Sequence, residues 1–322
     1  MAKAKISDSE FMAIWNEFKS AIAVSRATGI TERHVHSRRR RIEARMGVAL
    51  ESAATVAAHY SAYHDAYKSP QAIKLGIENG TILVFSDAHF MMHQRTTAFK
   101  ALLWLIDELQ PSVIINNGDA FDGASVSRHP VNDWTPVPSV LEELKACQMY
   151  LGEIEDAAPQ AKLVWTLGNH DARFSARLAA AAPQFRDVQG FTLPEHFEKW
   201  THTMSCWVTD DLMVKHRWKG GIHATHNNTV GSGVSFCTGH LHSLKVTPWT
   251  DYKGTRWGVD CGTLADPFGE QFNYAENNPR NWRQGFAVLN VRDGRLVTPE
   301  LCMTVGDGQV DWRGEVWDVS EF

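Results

Sequence analysis

The sequence predicts an α/β protein: one large domain on a mixed β-sheet body flanked by helices, preceded by a small all-α head. Three observations carry this. From about residue 73, apolar strand-like runs alternate with helical stretches, the order expected of a parallel or mixed sheet covered by helices. Residues 8–45 show apolar residues at helical spacing and no strand pattern. Successive apolar runs also end on Asp, Asn or His, which places polar chemistry at the strand ends, where open α/β sheets bind ligands.

The chain has 322 residues, 43% hydrophobic and 21% charged, which suits a soluble protein with one large domain and room for a small one. No run is long enough to span a membrane, and the start "MAKAKISDSEF" is polar rather than a signal peptide. Five scattered cysteines without CxxC spacing read as reduced thiols of a cytoplasmic protein, not a disulfide frame or a thiolate zinc site. Residues 1–50 carry ten Lys and Arg against five Asp and Glu, a net of +5, leaving −10 for the rest of a chain whose total is −5. A basic head on an acidic body suggests two jobs.

Taken in order, residues 1–46 form the head. "SDSEFMAIWNEFK" is a helix with Phe11, Ile14, Trp15 and Phe18 on one face and Ser7 or Asp8 as cap. A short helix from about Ala21 to Ala27 breaks at Gly29, and a second begins after Thr31. Residues 47–72 read as a helical connector. The large domain, 73–322, opens with "AIKLGIENGTILVFSD", two strands around an Asn-Gly turn. Then come helix "TAFKALLWLIDELQ", strand "SVIINNGD", helix "SVLEELKACQMYLGEIEDA" and strand "AKLVWTLGNHD", followed by the strands "LMVKH", "SFCTGHLH", "RWGVDCG" and "GFAVLNV".

Five strand ends deliver metal-binding residue types. "LVFSDAHF" ends on Asp87 and His89, two apart and so on one side of the strand. "SVIINNGDAFDG" ends on Asp119 with Asp122 nearby, and "KLVWTLGNHD" on Asn169, His170 and Asp171. "LMVKH" ends on His216 and "SFCTGHLH" on His240 and His242. Gly118, Gly168 and Gly239 precede key residues, where the backbone must turn sharply or approach an ion. Any one block is an ordinary polar loop; five in order form a motif.

"DAH", "GDAFD", "GNHD", "H" and "GHLH" resemble the five motifs of the calcineurin-like metallophosphoesterase superfamily, across roughly residues 80–270. The resemblance implies a β-sandwich of two mixed sheets flanked by helices, with two metals at the strand ends. It implies one metal on Asp87, His89, Asp119 and His242, and a second on Asp119, Asn169, His216 and His240, bridged by Asp119. His170 would meet the substrate phosphate or leaving group, with Asp171 orienting it. His223 and His226 compete with His216, which is preferred because it ends an apolar strand whereas "GIHATH" reads as a helix start. Carboxylate, imidazole and amide ligands fit Mn, Fe, Zn or Ni, with Mn favoured. Such a pair, about 3.5–4 Å apart, clamps phosphoryl oxygens and lowers the pKa of water.

The substrate is less constrained. Gly123 stands where protein phosphatases of the superfamily carry arginine, and "GDAFD" resembles the form of the repair-exonuclease branch, which favours phosphodiesters. Arg173 is either a phosphate contact or a surface arginine. The loop 123–138 is long for a connector, and its Arg128, His129 and Trp134 could touch phosphate, sugar or base. In the head, "SRATGITERHVHSRRRRIEAR" resembles a helix-turn-helix whose second helix carries Arg33, Arg38, Arg39, Arg40, Arg41 and Arg45, a density suited to DNA phosphates. A DNA-binding head on this body resembles a class of phage-encoded proteins, which would work in the host cytoplasm. The expected function is a two-metal phosphodiesterase, foremost a nuclease on DNA. A phosphomonoesterase or cyclic-nucleotide phosphodiesterase on a small molecule stays open, as does a DNA-binding protein with a non-catalytic body.

Overall fold

A computed structural model describes residues 6–52, 72–128, 136–185, 188–276 and 278–322, and the chain divides into two compact units, Met1–Ser69 and Pro70–Phe322. Most of the expected connector lies outside the described residues.

The first unit holds α1 (Asp8–Phe18), α2 (Ala21–Thr28) and α3 (Glu32–Met46). Ser7 caps α1 in a reciprocal box with Glu10, and Gly29, at φ 68°, ends α2 in the left-handed conformation that glycine adopts without a Cβ penalty. Phe11, Trp15, Val24, Val35, Ile42 and Leu50 are buried together. That core is small, and the indole of Trp15 is tied down by donating to Glu51 O at 2.8 Å.

The second unit contains β1 (Ala72–Lys74), β2 (Gly80–Phe85), α4 (Thr97–Leu109), β3 (Val113–Asn116), α5 (Val140–Ala157), β4 (Lys162–Thr166) and α6 (Asp171–Ala181). It continues with β5 (Thr201–Thr203), β6 (Ser205–Thr209), β7 (Leu212–Val214), α7 (Ala224–Ser232), β8 (Ser235–Thr238), β9 (Lys245–Asp251) and β10 (Gly254–Asp260). The chain closes with β11 (Gly285–Arg292), β12 (Arg295–Leu296), β13 (Glu300–Gly306), β14 (Gln309–Trp312) and β15 (Glu315–Asp318).

Two mixed sheets result. One runs β15-β14-β13-β11-β2-β3-β4-β5, with β12 beside β11; the other runs β1-β6-β7-β8-β10-β9. Strands β2 to β5 pair in parallel, as do β7, β8 and β10, so consecutive motif strands deliver their C-terminal ends to the same edge. Alternation within β2 makes it the hinge of the core. Ile82 and Val84 join the cluster shared by both sheets, while Leu83 and Phe85 join the cluster beneath α4 and α5. Each such side chain contributes about 1.5–3 kcal/mol by leaving water.

The opening hairpin is not formed. β1 pairs in parallel with β6, whereas β2 pairs with β3 and β11 in the other sheet. Leu75 N and Ile77 N extend the β1 pairing by donating to Trp207 O and Val208 O, so the chain crosses between sheets before Asn79. Asn79 instead accepts from Asp293 N across a neighbouring turn. The three strands β13 to β15, which the sequence pattern did not predict, show alternation broken at Asp307-Gly308 and Arg313-Gly314, the signal that would have found them.

Candidate active site

The five strand-end blocks converge. Asp87 and His89 follow β2, Asp119 follows β3, Asn169 and His170 follow β4, His216 follows β7, and His240 and His242 follow β8. Three groups bring ligand atoms within 4.8 Å of one another: Asp87 with His89 and His242, His89 with Asp119 and His170, and Asp119 with His216 and His240. Asp119 belongs to two of them, and its carboxylate lies 3.0 Å from His216 Nε2 and 4.0 Å from His170 Nε2.

The backbone is bent to achieve this. Asp87, His89, Asp119, His240 and His242 all have φ between 39° and 71°, a region costly for residues with a Cβ and tolerated where the surroundings hold it. Gly118, at φ 89°, and Gly168 leave the space these turns need. A Cβ on Gly118 would strike the His216 ring, and one on Gly168 would overlap the Asp119 carboxylate.

Hydrogen bonds orient each ring. His216 Nδ1 donates to Asn117 O at 2.7 Å, leaving Nε2 turned toward Asp119. His89 Nδ1 donates to Asp122 Oδ1 at 2.9 Å. Asp87 accepts from His240 N at 2.8 Å and faces His242 Nε2 at 3.0 Å. Burial alone would raise Asp87, but the charges of His242 and His216 outweigh it and hold its carboxyl at about 2. For Asp119 likewise, burial opposes ionisation but the neighbouring His216 wins and the carboxyl is driven below its usual range. Burial would lower His216, yet Asp119 and Asp87 raise it to about 10. Burial, then the His216 charge and more weakly that of Arg217, bring His240 down to about 4 against the pull of Asp87 and Asp119.

The donor set fits divalent metal. Buried Asn169 Oδ1 and His242 Nδ1 have no hydrogen-bond partner among the described residues. Such atoms are costly unless something positive or polar meets them. Nitrogen and oxygen donors without a thiolate suit a borderline or hard ion.

Asp171 needs correction. The sequence motif implies that it orients His170, but its carboxylate accepts from Asp119 N and Gly168 N at 2.8 Å, Trp165 Nε1 at 2.9 Å and Phe121 N at 3.2 Å. Its position at the start of α6 turns it under the two ligand loops, so it shapes them rather than touching the His170 ring. The partner of that ring is Asp122, whose Oδ1 lies 2.7 Å from His170 Nδ1. Asp122 therefore holds both His89 and His170, and the only hint of it in the sequence was its place three residues after Asp119.

Arg173, two residues beyond Asp171, donates to Asp122 O at 2.9 Å and brings Nη2 to 3.1 Å from His170 Nε2. Arg128 is exposed on the loop after β3, while His129 and Trp134 lie outside the described residues. His223 and His226 fall at the start of α7, and neither belongs to the cluster that includes His216. Two aromatic residues had no local signal. The ring of Trp282 stands 4.5 Å from His242, and that of Phe272 stands 5.2 Å from His89, so both wall the site from positions far along the chain.

In the head, the arginines divide. Arg38 donates to Asp8 Oδ1 at 2.7 Å and to Ile6 O at 2.5 Å, and its guanidinium covers Phe11. Arg39 lies over Trp15 and within 3.5 Å of Glu43, and Arg45 also pairs with Asp8. Arg33, Arg40 and Arg41 are exposed. The four consecutive arginines thus split between the head's own framework and its surface.

Comparison with known proteins places the chain in a class of metal-dependent phosphoesterases. Residues 80–258 match the family described as calcineurin-like phosphoesterase, and the chain belongs to that family. It is 28% identical over 278 residues to the Gene 54 protein of Mycobacterium phage D29, covering 74% of this chain and 98% of the phage protein. Among solved structures, it is similar to zinc-bound Vps29 from Entamoeba histolytica, with 15% identity, a TM-score of 0.39, and coverage of 74% of this chain and 99% of that one. A dimetal phosphatase from Danio rerio shows 12% identity and a TM-score of 0.35, over 71% of this chain and 96% of that one. The family uses a dinuclear metal centre, and the clusters above are its candidate ligands here. No helix among the described residues is long and apolar enough to cross a membrane.

Proposed function

We propose that this chain is a two-metal phosphodiesterase that cleaves nucleic acid, with DNA as its main substrate. The observation that carries the reading is Asp119, which groups with His89 and His170 on one side and with His216 and His240 on the other, while His89 also groups with Asp87 and His242. Asp87, His89, Asp119 and His242 would hold one ion, and Asp119, Asn169, His216 and His240 the other. Bound there, two manganese ions, or iron, zinc or nickel, would supply Lewis acidity toward a phosphoryl group.

The chain's own residues do the rest. His170, held through Nδ1 by Asp122, presents Nε2 toward Asp119 and so toward a phosphate at the clusters. Burial and the Arg173 charge oppose its protonation, but Asp122 and Asp119 outweigh them and raise its pKa above the ordinary value. Asp171 and the backbone amides it gathers keep the Asp119 and Asn169 loops in register.

The polynucleotide part of the reading rests on the head, where exposed Arg33, Arg40 and Arg41 could neutralise phosphates. A second reading, a phosphoesterase for small molecules, is favoured by the −10 carried by residues 51–322 against +5 on residues 1–50, since an acidic body repels a polyanion. A manganese-loaded panel of single- and double-stranded DNA, RNA, cyclic nucleotides and an aryl phosphodiester decides between them. Faster turnover of DNA supports the nuclease; turnover of cyclic nucleotides with none of DNA or RNA overturns it.

A further inference from the structure

The stem of Arg173 lies directly over Gly123. At Gly123, whose φ of 64° favours glycine, a Cβ would come within 3.0 Å of Phe121 Cε1, 3.1 Å of Arg173 Cβ and 3.2 Å of its Cδ, closer than side chains normally pack. The guanidinium is thereby carried past the Asp122 backbone to the ring edge of His170. Nη1 donates to Asp122 O at 2.9 Å, Nη2 reaches 3.1 Å from His170 Nε2, and the Asp122 carboxylate stays 3.7 Å away. These contacts engage two of the five N–H donors a guanidinium offers. The side chain keeps 22% of its surface exposed.

We propose that Arg173 is the phosphate-positioning residue of this site: it recognises non-bridging oxygens of a phosphate ester, with its stem lying across the bare face of Gly123. The inference rests on the phosphoesterase reading of the clusters and deepens it. A planar guanidinium beside His170 matches two phosphate oxygens at once, which a lone ammonium does not. The Nη2 that faces His170 Nε2 is also the donor best placed to exchange that partner for an entering phosphate. Asp122 would then serve three groups, holding His89 and His170 by its carboxylate and Arg173 by its carbonyl.

The test uses the full-length, manganese-loaded protein and two probes that are not nucleic acids: inorganic phosphate, bound calorimetrically and as an inhibitor, and an aryl phosphodiester as substrate. Arg173→Gln keeps most of the stem over Gly123 and removes the charge; Arg173→Ala removes both. Each should weaken phosphate binding roughly 10–100-fold, the range expected for a charge-assisted hydrogen bond, with KM raised and metal content unchanged. Wild-type phosphate affinity in Arg173→Gln overturns the proposal, as does a wild type that binds no phosphate. If Arg173→Ala loses metal or fold, the glutamine protein decides by the same criterion. Failure to cut DNA would sink the nuclease reading and leave these phosphate measurements standing.

Discussion

The Asp122 carboxylate accepts a hydrogen bond from His170 Nδ1 at 2.7 Å across 48 residues of sequence. Burial opposes the charge on Asp122, but the His170 and His89 hydrogen bonds overcome it and keep the carboxyl well below its usual range. In return Asp122 outweighs the burial of His170 and raises the histidine. Asp122→Asn should therefore lower the pKa of His170. If His170 acts as an acid, the alkaline limb of the pH–rate profile moves to lower pH and turnover falls about 10–100-fold. An unmoved limb would remove this pair from the chemistry.

Asp119→Asn should disturb both proposed metal sites at once, because its carboxylate is assigned to both and groups with His89 on one side and with His216 and His240 on the other. Elemental analysis after manganese loading should approach two equivalents for the wild type and fall sharply in the variant. Full occupancy at wild-type rates would sink the shared-ligand assignment.

His170→Ala should retain metal, since His170 lies outside the proposed ligand sets, and lose ~10²–10⁴-fold in turnover. The loss should shrink for a nitrophenolate leaving group, which needs no proton. Equal losses for good and poor leaving groups would argue for charge stabilisation instead of proton donation.

Glu143 offers a pH test of stability. It is buried and accepts from Gly123 N at 2.7 Å and Ala124 N at 3.0 Å, securing the loop that holds Asp122. Burial, then the nearby Asp122 charge, push it up to about 7 from 4.5. A carboxyl raised on folding binds more protons in the folded state, so its contribution favours folding below 4.5 and is lost as pH rises toward 7. Glu143→Gln should flatten the dependence of the unfolding free energy on pH in that window by up to ~3 kcal/mol. A variant whose curve parallels the wild type would show that Glu143 is not the titrating group.

The head predicts two kinds of arginine. Replacing Arg33, Arg40 and Arg41 with alanine should weaken DNA binding and flatten its salt dependence, by roughly 0.9 log units per log unit of salt for each phosphate no longer neutralised. Replacing Arg38 should lower the thermal stability of the head, because it joins Asp8, Ile6 O and the Phe11 ring. Deleting residues 1–46 should spare hydrolysis of a small diester and reduce cleavage of long DNA. Equal binding of long DNA with and without the head would exclude it as the anchor.

What the sequence by itself determined is local. Apolar periodicity marked the motif strands and the head's helices, and five strand ends announced the residues that now lie together around Asp119. These signals survive in one dimension because strand alternation, helix spacing and caps act over a few neighbouring residues. Tertiary structure alone decided which sheet each strand joined, and so undid the hairpin of β1 and β2. It also set Asp171 beneath the loops, brought Asp122 to His170, laid Arg173 across Gly123, and separated framework arginines from exposed ones. Each of these outcomes is a contact between side chains or backbones far apart in the chain, settled by burial and by the need of every buried polar group for a partner.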